Sequence, residues 1–266
     1  MYRQGSSVIR FLDKIKNSQV WKSVFRHGSV FRHDHRDTPR NRYLQVINNV
    51  FLHIHPTKIP KHALKVRFTF CLGGISLLLF IIEVITGILL MFYYRPVIEY
   101  AYPDMKSLLY DVPFGMFLRN IHRWAAHLMV VTVMLHMLRV FLTSSYKPPR
   151  EFNWVVGVSL LFSTLLLSFT GYLLPWDQLA YWAITVATNM VAAAPVLGHQ
   201  GPFKELFGLT EANDIRSLLL GNYNVGGAAL LRFYVMHVVG LPVIAAILIV
   251  VHFWRVRKDG GISRPL

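Results

Sequence analysis

Residues 121 to 140 read IHRWAAHLMVVTVMLHMLRV, and in this largely apolar stretch His122 and His136 stand 14 residues apart. A helix turns about 100° and rises about 1.5 Å per residue, so both histidines fall near one face, roughly 20 Å apart along the axis. A second apolar segment repeats the arrangement with His237 and His252, 15 residues apart. Neutral imidazole is a good axial ligand for iron, and two facing helices with this stride can hold two stacked haems, each between two histidines. Any one of these histidines alone reads better as an interior group satisfied by a hydrogen bond. Matched spacing in two apolar segments favours ligation. If the two segments cross a bilayer in the same direction, His122 faces His237 and His136 faces His252.

Outward from this stretch, the chain is apolar throughout. Of its 266 residues 54% are hydrophobic and the mean hydropathy is +0.41, which suits a polytopic membrane protein better than a soluble domain. Four runs are long enough to cross a bilayer, at about 68–92, 115–142, 153–174 and 230–254. The expected fold is an all-α integral membrane protein, a haem-binding bundle of four transmembrane helices (68–266) preceded by a basic N-terminal arm (1–67). The third connection is about 55 residues long and contains apolar, aromatic segments such as Tyr181 to Val191, expected as amphipathic helices. Pro148 and Pro149 cannot continue the second helix and turn the chain sharply before the third.

The formal charge of +15 is distributed unevenly: 14 of the 28 Lys and Arg residues lie in positions 1–67, against three acids, Asp13, Asp34 and Asp37. The arm contains no recognisable nucleic-acid-binding module, so no nucleic-acid partner is expected. Lys147, Arg150, Arg255, Arg257 and Lys258 flank other helix ends, whereas the first and third connections carry little positive charge. The positive-inside rule then puts both termini on the cytoplasmic or negative side, in agreement with an even number of spans. No cleavable signal peptide is evident, and Val8 to Val24 reads either as a surface-lying amphipathic helix or as a tail.

Other residues keep the histidine stride. Gly73 and Gly87 are 14 apart in the first span, as are Gly157 and Gly171 in the third, and a glycine lets a planar macrocycle approach the backbone. Arg119 and Arg123 bracket His122, Arg139 follows His136, and Arg257 follows His252, where guanidinium groups can hold haem propionates. Glu83, an ionisable group inside a span, is a functional candidate by default, although satisfaction within the bundle is the simpler reading. His127 is off the stride, and His53, His55 and His62 lack metal-site spacing.

Several stretches together resemble the cytochrome b6 subunit of b6f complexes and its bacterial relatives. They are Cys71-Leu72-Gly73-Gly74-Ile75, Ile121-His122-Arg123-Trp124, Lys147-Pro148-Pro149-Arg150-Glu151, Gly171-Tyr172-Leu173-Leu174-Pro175-Trp176-Asp177-Gln178, Arg232-Phe233-Tyr234 and Gly261-Ile262-Ser263-Arg264-Pro265-Leu266. The resemblance implies a haem b on the positive side at His122 and His237 and another on the negative side at His136 and His252. It implies a c-type haem joined by one thioether to Cys71, the only cysteine, with Arg257 nearby. It also makes Pro175, Trp176 and Asp177 part of the wall of a quinol pocket, completed by a PEWY-type segment from a second, subunit IV-like membrane subunit. The 15-residue stride of the fourth helix is similar to this branch rather than to mitochondrial-type cytochrome b.

The implied function is transmembrane electron transfer within a quinol:electron-acceptor oxidoreductase. The implied partners are a Rieske iron-sulfur protein, a c-type cytochrome subunit, quinone and the lipid bilayer, in a complex that is itself a homodimer. Its expected location is an energy-transducing membrane, a bacterial inner or internal one. The long arm, extra residues around Phe207 to Asn222, and one glycine more than expected in Asp259-Gly260-Gly261 depart from the family pattern. Two alternatives stay open on the sequence: a dihaem membrane anchor for a dehydrogenase or hydrogenase, and a non-redox channel or scaffold with structural histidines.

Overall fold

The computed structural model describes residues 7–18, 21, 38–39 and 65–259. Most of the basic arm, with His53, His55 and His62, and the tail 260–266 lie outside the described residues. The described chain is helical and turn-like, with no strand among the described residues. Its elements are α1 (Ser7–Asn17), α2 (Val66–Thr69), α3 (Leu72–Met91), α4 (Ile98–Tyr110), α5 (Gly115–Leu142), α6 (Glu151–Leu173), α7 (Gln178–Ala192), α8 (Ile215–Leu220), α9 (Gly227–Val235), a π turn (Met236–Gly240) and α10 (Leu241–Lys258).

Among the described residues four stretches are long and apolar enough to cross a membrane: Leu72–Met91, Gly115–Leu142, Glu151–Leu173 and Gly227–Lys258. The shortest, at 20 residues, is about 30 Å long, which matches a hydrocarbon core. Its outward stripe of Leu78, Ile81, Ile85 and Ile88 is half-exposed and wholly apolar, while Ser76, Glu83, Thr86 and Gly87 lie on the less exposed faces. That arrangement would be an aggregation liability in water and is ordinary in lipid. The first span begins at Leu72 rather than near residue 68, because Phe70 (φ 49°) and Cys71 (φ 53°) are left-handed and end the short α2.

Contacts divide the chain into two compact units, each drawing segments from the long helices. One comprises Gly74–Thr132 and Phe162–Ala245. Its core joins Leu173, Ala180, Ile184, Leu220, Ala229 and Phe233, with a second group of Tyr94, Ala101 and Leu230. The third connection is held here: α7 buries Ala180, Ile184, Thr188 and Ala192, spaced by four, and Asp177 caps it by accepting from the Ala180 N–H at 2.8 Å. The opposite face of α7, with Leu179, Trp182, Val186 and Met190, is exposed and apolar as well, so this helix lacks the polar face that amphipathic patterning would give it. Between the first two spans the chain forms α4 despite Pro103, burying Ala101, Asp104 and Leu108. Asp104 receives both Nε (3.0 Å) and Nη2 (2.6 Å) of Arg95, which hold its carboxyl below the usual carboxylate range.

The other unit comprises Met1–Gly73, Val133–Leu161 and Ala246–Leu266. Among its described residues the most enclosed large side chain is Arg255, 1% exposed, which pairs with Asp259 at 3.1 Å and lies over the rings of Phe152 and Trp254. Arg150, the residue before α6, donates through Nε to the Asp259 carbonyl at 3.2 Å. These three residues latch the start of α6 to the end of α10.

Candidate functional site

Each unit brings one pair of histidine rings together. In the first, His122 on α5 and His237 in the π turn have ring centroids 6.3 Å apart and planes at 79°. In the other, His136 on α5 and His252 on α10 are 6.4 Å apart at 77°. A metal–imidazole bond of about 2.0–2.1 Å, with about 1.1 Å from nitrogen to ring centre, spans about 6.4 Å across two ligands. Both pairs therefore have the separation that one metal ion between the rings requires. Among the described residues no group of three or more His, Cys, Asp or Glu side chains is arranged for a metal. A haem, whose macrocycle fills four positions, needs only the two side-chain ligands each pair offers.

The surroundings of His122 and His237 assign their tautomers. Thr86 donates its hydroxyl to the Ile82 carbonyl at 2.7 Å, which leaves an oxygen lone pair facing His122 Nδ1 at 2.8 Å. Thr170 donates to the Leu166 carbonyl at 2.8 Å and faces His237 Nδ1 at 3.1 Å. A hydroxyl already spent on a carbonyl can only accept, so Nδ1 carries the proton in both rings and Nε2 keeps the lone pair for a metal. Glu83 Oε2 also reaches His122 Nδ1, at 2.9 Å.

Glycines stand against the same rings. A Cβ on Gly171 would lie 2.6 Å from His237 Cε1, one on Gly87 3.3 Å from His122 Cε1, and one on Gly73 3.3 Å from His136 Cε1. Gly157 is looser, since its Cβ would meet His252 Cε1 at 3.8 Å, an ordinary contact.

His237 lies in a π turn, which takes one residue more per turn than an α-helix. The turn accounts for the unequal strides: 15 residues that include one such turn rotate about as far as 14 of continuous α-helix. The sequence carries no signal for it beyond the count itself.

The arginines differ in their surroundings. Arg119 is half-buried within electrostatic reach of Arg123 and Asp177, and Arg123 is exposed. Arg139 donates through Nε to the Phe68 carbonyl at 3.1 Å and covers the Phe68 ring. Arg257 is half-buried near the end of α10. Sequence reasoning passed over the more deeply enclosed Arg255, because its role depends on Asp259 and on the aromatic rings around it.

Cys71 is exposed, and its N–H donates to Thr69 Oγ1 at 3.2 Å. It stands two residues before Gly73, which abuts the His136 ring. In the other unit Trp176 (φ 51°) packs edge-on to Tyr181, Asp177 caps α7, and Tyr94 donates its hydroxyl to the Leu174 carbonyl at 2.6 Å. Burial pushes the Tyr94 phenol well above its ordinary range, so it remains a donor. The turn at Pro175–Asp177 is thus held from both sides. His127 is exposed and packs edge-on against Trp124, away from both pairs. The extra residues near 207–222 are tied to the loop around His199, whose Nδ1 lies 2.6 Å from Asp214. Burial opposes ionisation of Asp214, but the Ser217 N–H and His199 outweigh it and hold its carboxyl below the usual range.

A family model described as cytochrome b/b6/petB matches residues 58–260. The chain is 41% identical to a cytochrome b6 of Synechocystis over 208 residues, covering 78% of this chain and 86% of that protein. Cytochromes b6 of Bigelowiella natans (42%) and Emiliania huxleyi (43%) match over the same share of this chain and 88% of their own lengths. A solved chain from a hyperthermophilic respiratory Complex III is similar at 32% identity with a TM-score of 0.66, covering 86% of this chain. This chain spans about half, 55%, of that one.

Proposed function

This chain belongs to the cytochrome b family, of the b6 type, and from that premise we propose that it is the haem-bearing electron-transfer subunit of a Rieske/cytochrome b quinol oxidoreductase. In this reading it carries electrons from quinol oxidised on the positive side through two b haems to a c-type haem at Cys71 and a quinone on the negative side, coupled to proton translocation. Bound haem supplies reversible one-electron iron chemistry, which bis-histidine ligation keeps closed to substrate.

The observation that carries this reading is the pair of imidazole couples at 6.3 and 6.4 Å, one per unit. His122 and His237 would hold one haem b, and His136 and His252 the other. Thr86 and Thr170 keep Nε2 of their histidines free to ligate. Gly73, Gly87 and Gly171 leave room for the rings to stay where ligation needs them. Arg119, Arg123, Arg139 and Arg257 would meet propionates. The exposed thiol of Cys71 is open to thioether formation. Pro175, Trp176 and Asp177 would wall a quinol pocket whose other side comes from a subunit IV-like partner. A Rieske protein and a c-type cytochrome complete the complex, a homodimer in an energy-transducing membrane, a bacterial inner or internal one, with both termini on the negative side. A dihaem anchor for a dehydrogenase or hydrogenase has no use for an exposed cysteine beside Gly73 or for the braced turn at Pro175–Asp177.

The test is a haem-peroxidase stain of the complex on a denaturing gel, beside its reduced-minus-oxidised spectrum. Covalent haem at 30.6 kDa that disappears in Cys71→Ala, with b-type bands retained, is expected. A b-type spectrum without covalent haem refutes the Cys71 assignment alone, whereas loss of both signals in the wild type refutes electron transfer.

A further inference from the structure

The four histidines do not have equal partners. His237 Nδ1 meets the Thr170 hydroxyl. Among the described residues no carboxylate pairs with His136 or His252. Among the described residues His122 alone of the four has a carboxylate acceptor: its Nδ1 faces Thr86 Oγ1 at 2.8 Å and Glu83 Oε2 at 2.9 Å. The other carboxyl oxygen, Oε1, is buried with no hydrogen-bond partner among the described residues, so no second donor draws the carboxyl away from the ring. Glu83 and Thr86 are three residues apart on α3, which presents both to one histidine from the same helix face.

We propose that Glu83 is a positioning residue for His122, whose carboxyl accepts the Nδ1–H and sets the reduction potential of the haem held by His122 and His237 lower than a neutral acceptor would. The inference rests on the haem reading above. A carboxylate accepting from the second nitrogen of a metal-bound imidazole fixes the ring and raises its basicity. A more basic ligand donates more strongly to iron and favours the ferric state, so the potential falls. Among the described residues no carboxylate gives the His136/His252 couple this device. The two sites are therefore separated in potential by protein as well as by position.

The experiment is spectroscopic redox titration of the two b haems in the isolated complex, wild type against Glu83→Gln. Replacing a charge-assisted hydrogen bond by a neutral one of the same shape changes the equilibrium by roughly tenfold, which for one electron is about 59 mV. The wave of the His122/His237 haem is expected to move to more positive potential by about that amount while the other stays in place. Thr170→Val, which takes the hydroxyl from His237, identifies the wave of this site. Unchanged potentials, or equal shifts of both waves, overturn the proposal even though the haem reading stands. A wild-type complex without b-type haem overturns the haem reading itself. Should Glu83→Gln not assemble, Glu83→Asp withdraws the carboxyl by one methylene and must raise the same potential; no shift there is equally decisive against it.

Discussion

Replacing Gly171 by alanine adds one methyl group, and the structure says where it goes. The new Cβ would stand 2.6 Å from Cε1 of His237, 3.2 Å from Nε2 and 3.3 Å from Nδ1. Ordinary contact begins near 3.4 Å, so the ring must retreat by about 0.8 Å, more than the roughly 0.5 Å within which a site geometry is usefully held. Retreat is opposed by the 3.1 Å contact of Nδ1 with Thr170 and by the position of His237 in the π turn. Overpacking of this kind costs about 1–3 kcal/mol, which as a loss of haem affinity is roughly 5- to 150-fold. The matching control is Gly157→Ala, whose Cβ would meet nothing closer than Met137 Sδ at 3.6 Å. Purified complexes of both variants are compared by b-haem content per polypeptide and by redox titration. Gly171→Ala is expected to lose or shift only the His122/His237 signal, and Gly157→Ala to retain both. Full occupancy and unshifted potentials in Gly171→Ala, or equal damage from both substitutions, would refute the steric argument.

Further outcomes concern parts of the chain away from the histidines. Asp259→Ala removes the carboxylate that pairs with the 1%-exposed Arg255; removing one member of a buried pair costs up to about 3–5 kcal/mol, and thermal unfolding of the complex should begin at lower temperature with the haem spectrum intact beforehand. Asp214 titrates below the ordinary aspartate value, so its contribution is present above about pH 3.9 and is lost as pH falls through the lower folded value. Limited proteolysis between Gly198 and Gly221 should accelerate in that acid window in the wild type. In Asp214→Ala, which also removes the α8 cap at about 1 kcal/mol, cleavage should already be fast at neutral pH.

The spans were legible because crossing a bilayer is a one-dimensional requirement: enough apolar residues in a row, whatever their neighbours. The strides of 14 and 15 between histidines were legible for a similar reason, since spacing along one helix sets the face on which a side chain emerges. The breakers were harder. Between the first two spans α4 forms across Pro103, because Ala101, Asp104 and Leu108 gain buried contacts and Arg95 anchors the carboxylate. The aromatic pattern of the third connection announced α7, but its two faces differ in burial rather than in polarity.

The apolar helices, the family to which they belong and the histidines worth pairing all follow from composition and spacing along the chain. The tertiary structure alone decided how those residues meet: the left-handed pair Phe70 and Cys71 that delays the first span, the π turn that accommodates the fifteenth residue, the closeness of Gly171 to His237 but not of Gly157 to His252, the enclosure of Arg255 by Asp259, and the approach of Glu83 to His122. Each depends on atoms that are distant in sequence or on a backbone angle the side chains do not encode, and a difference of one ångström at such a contact separates a ligand in place from one displaced.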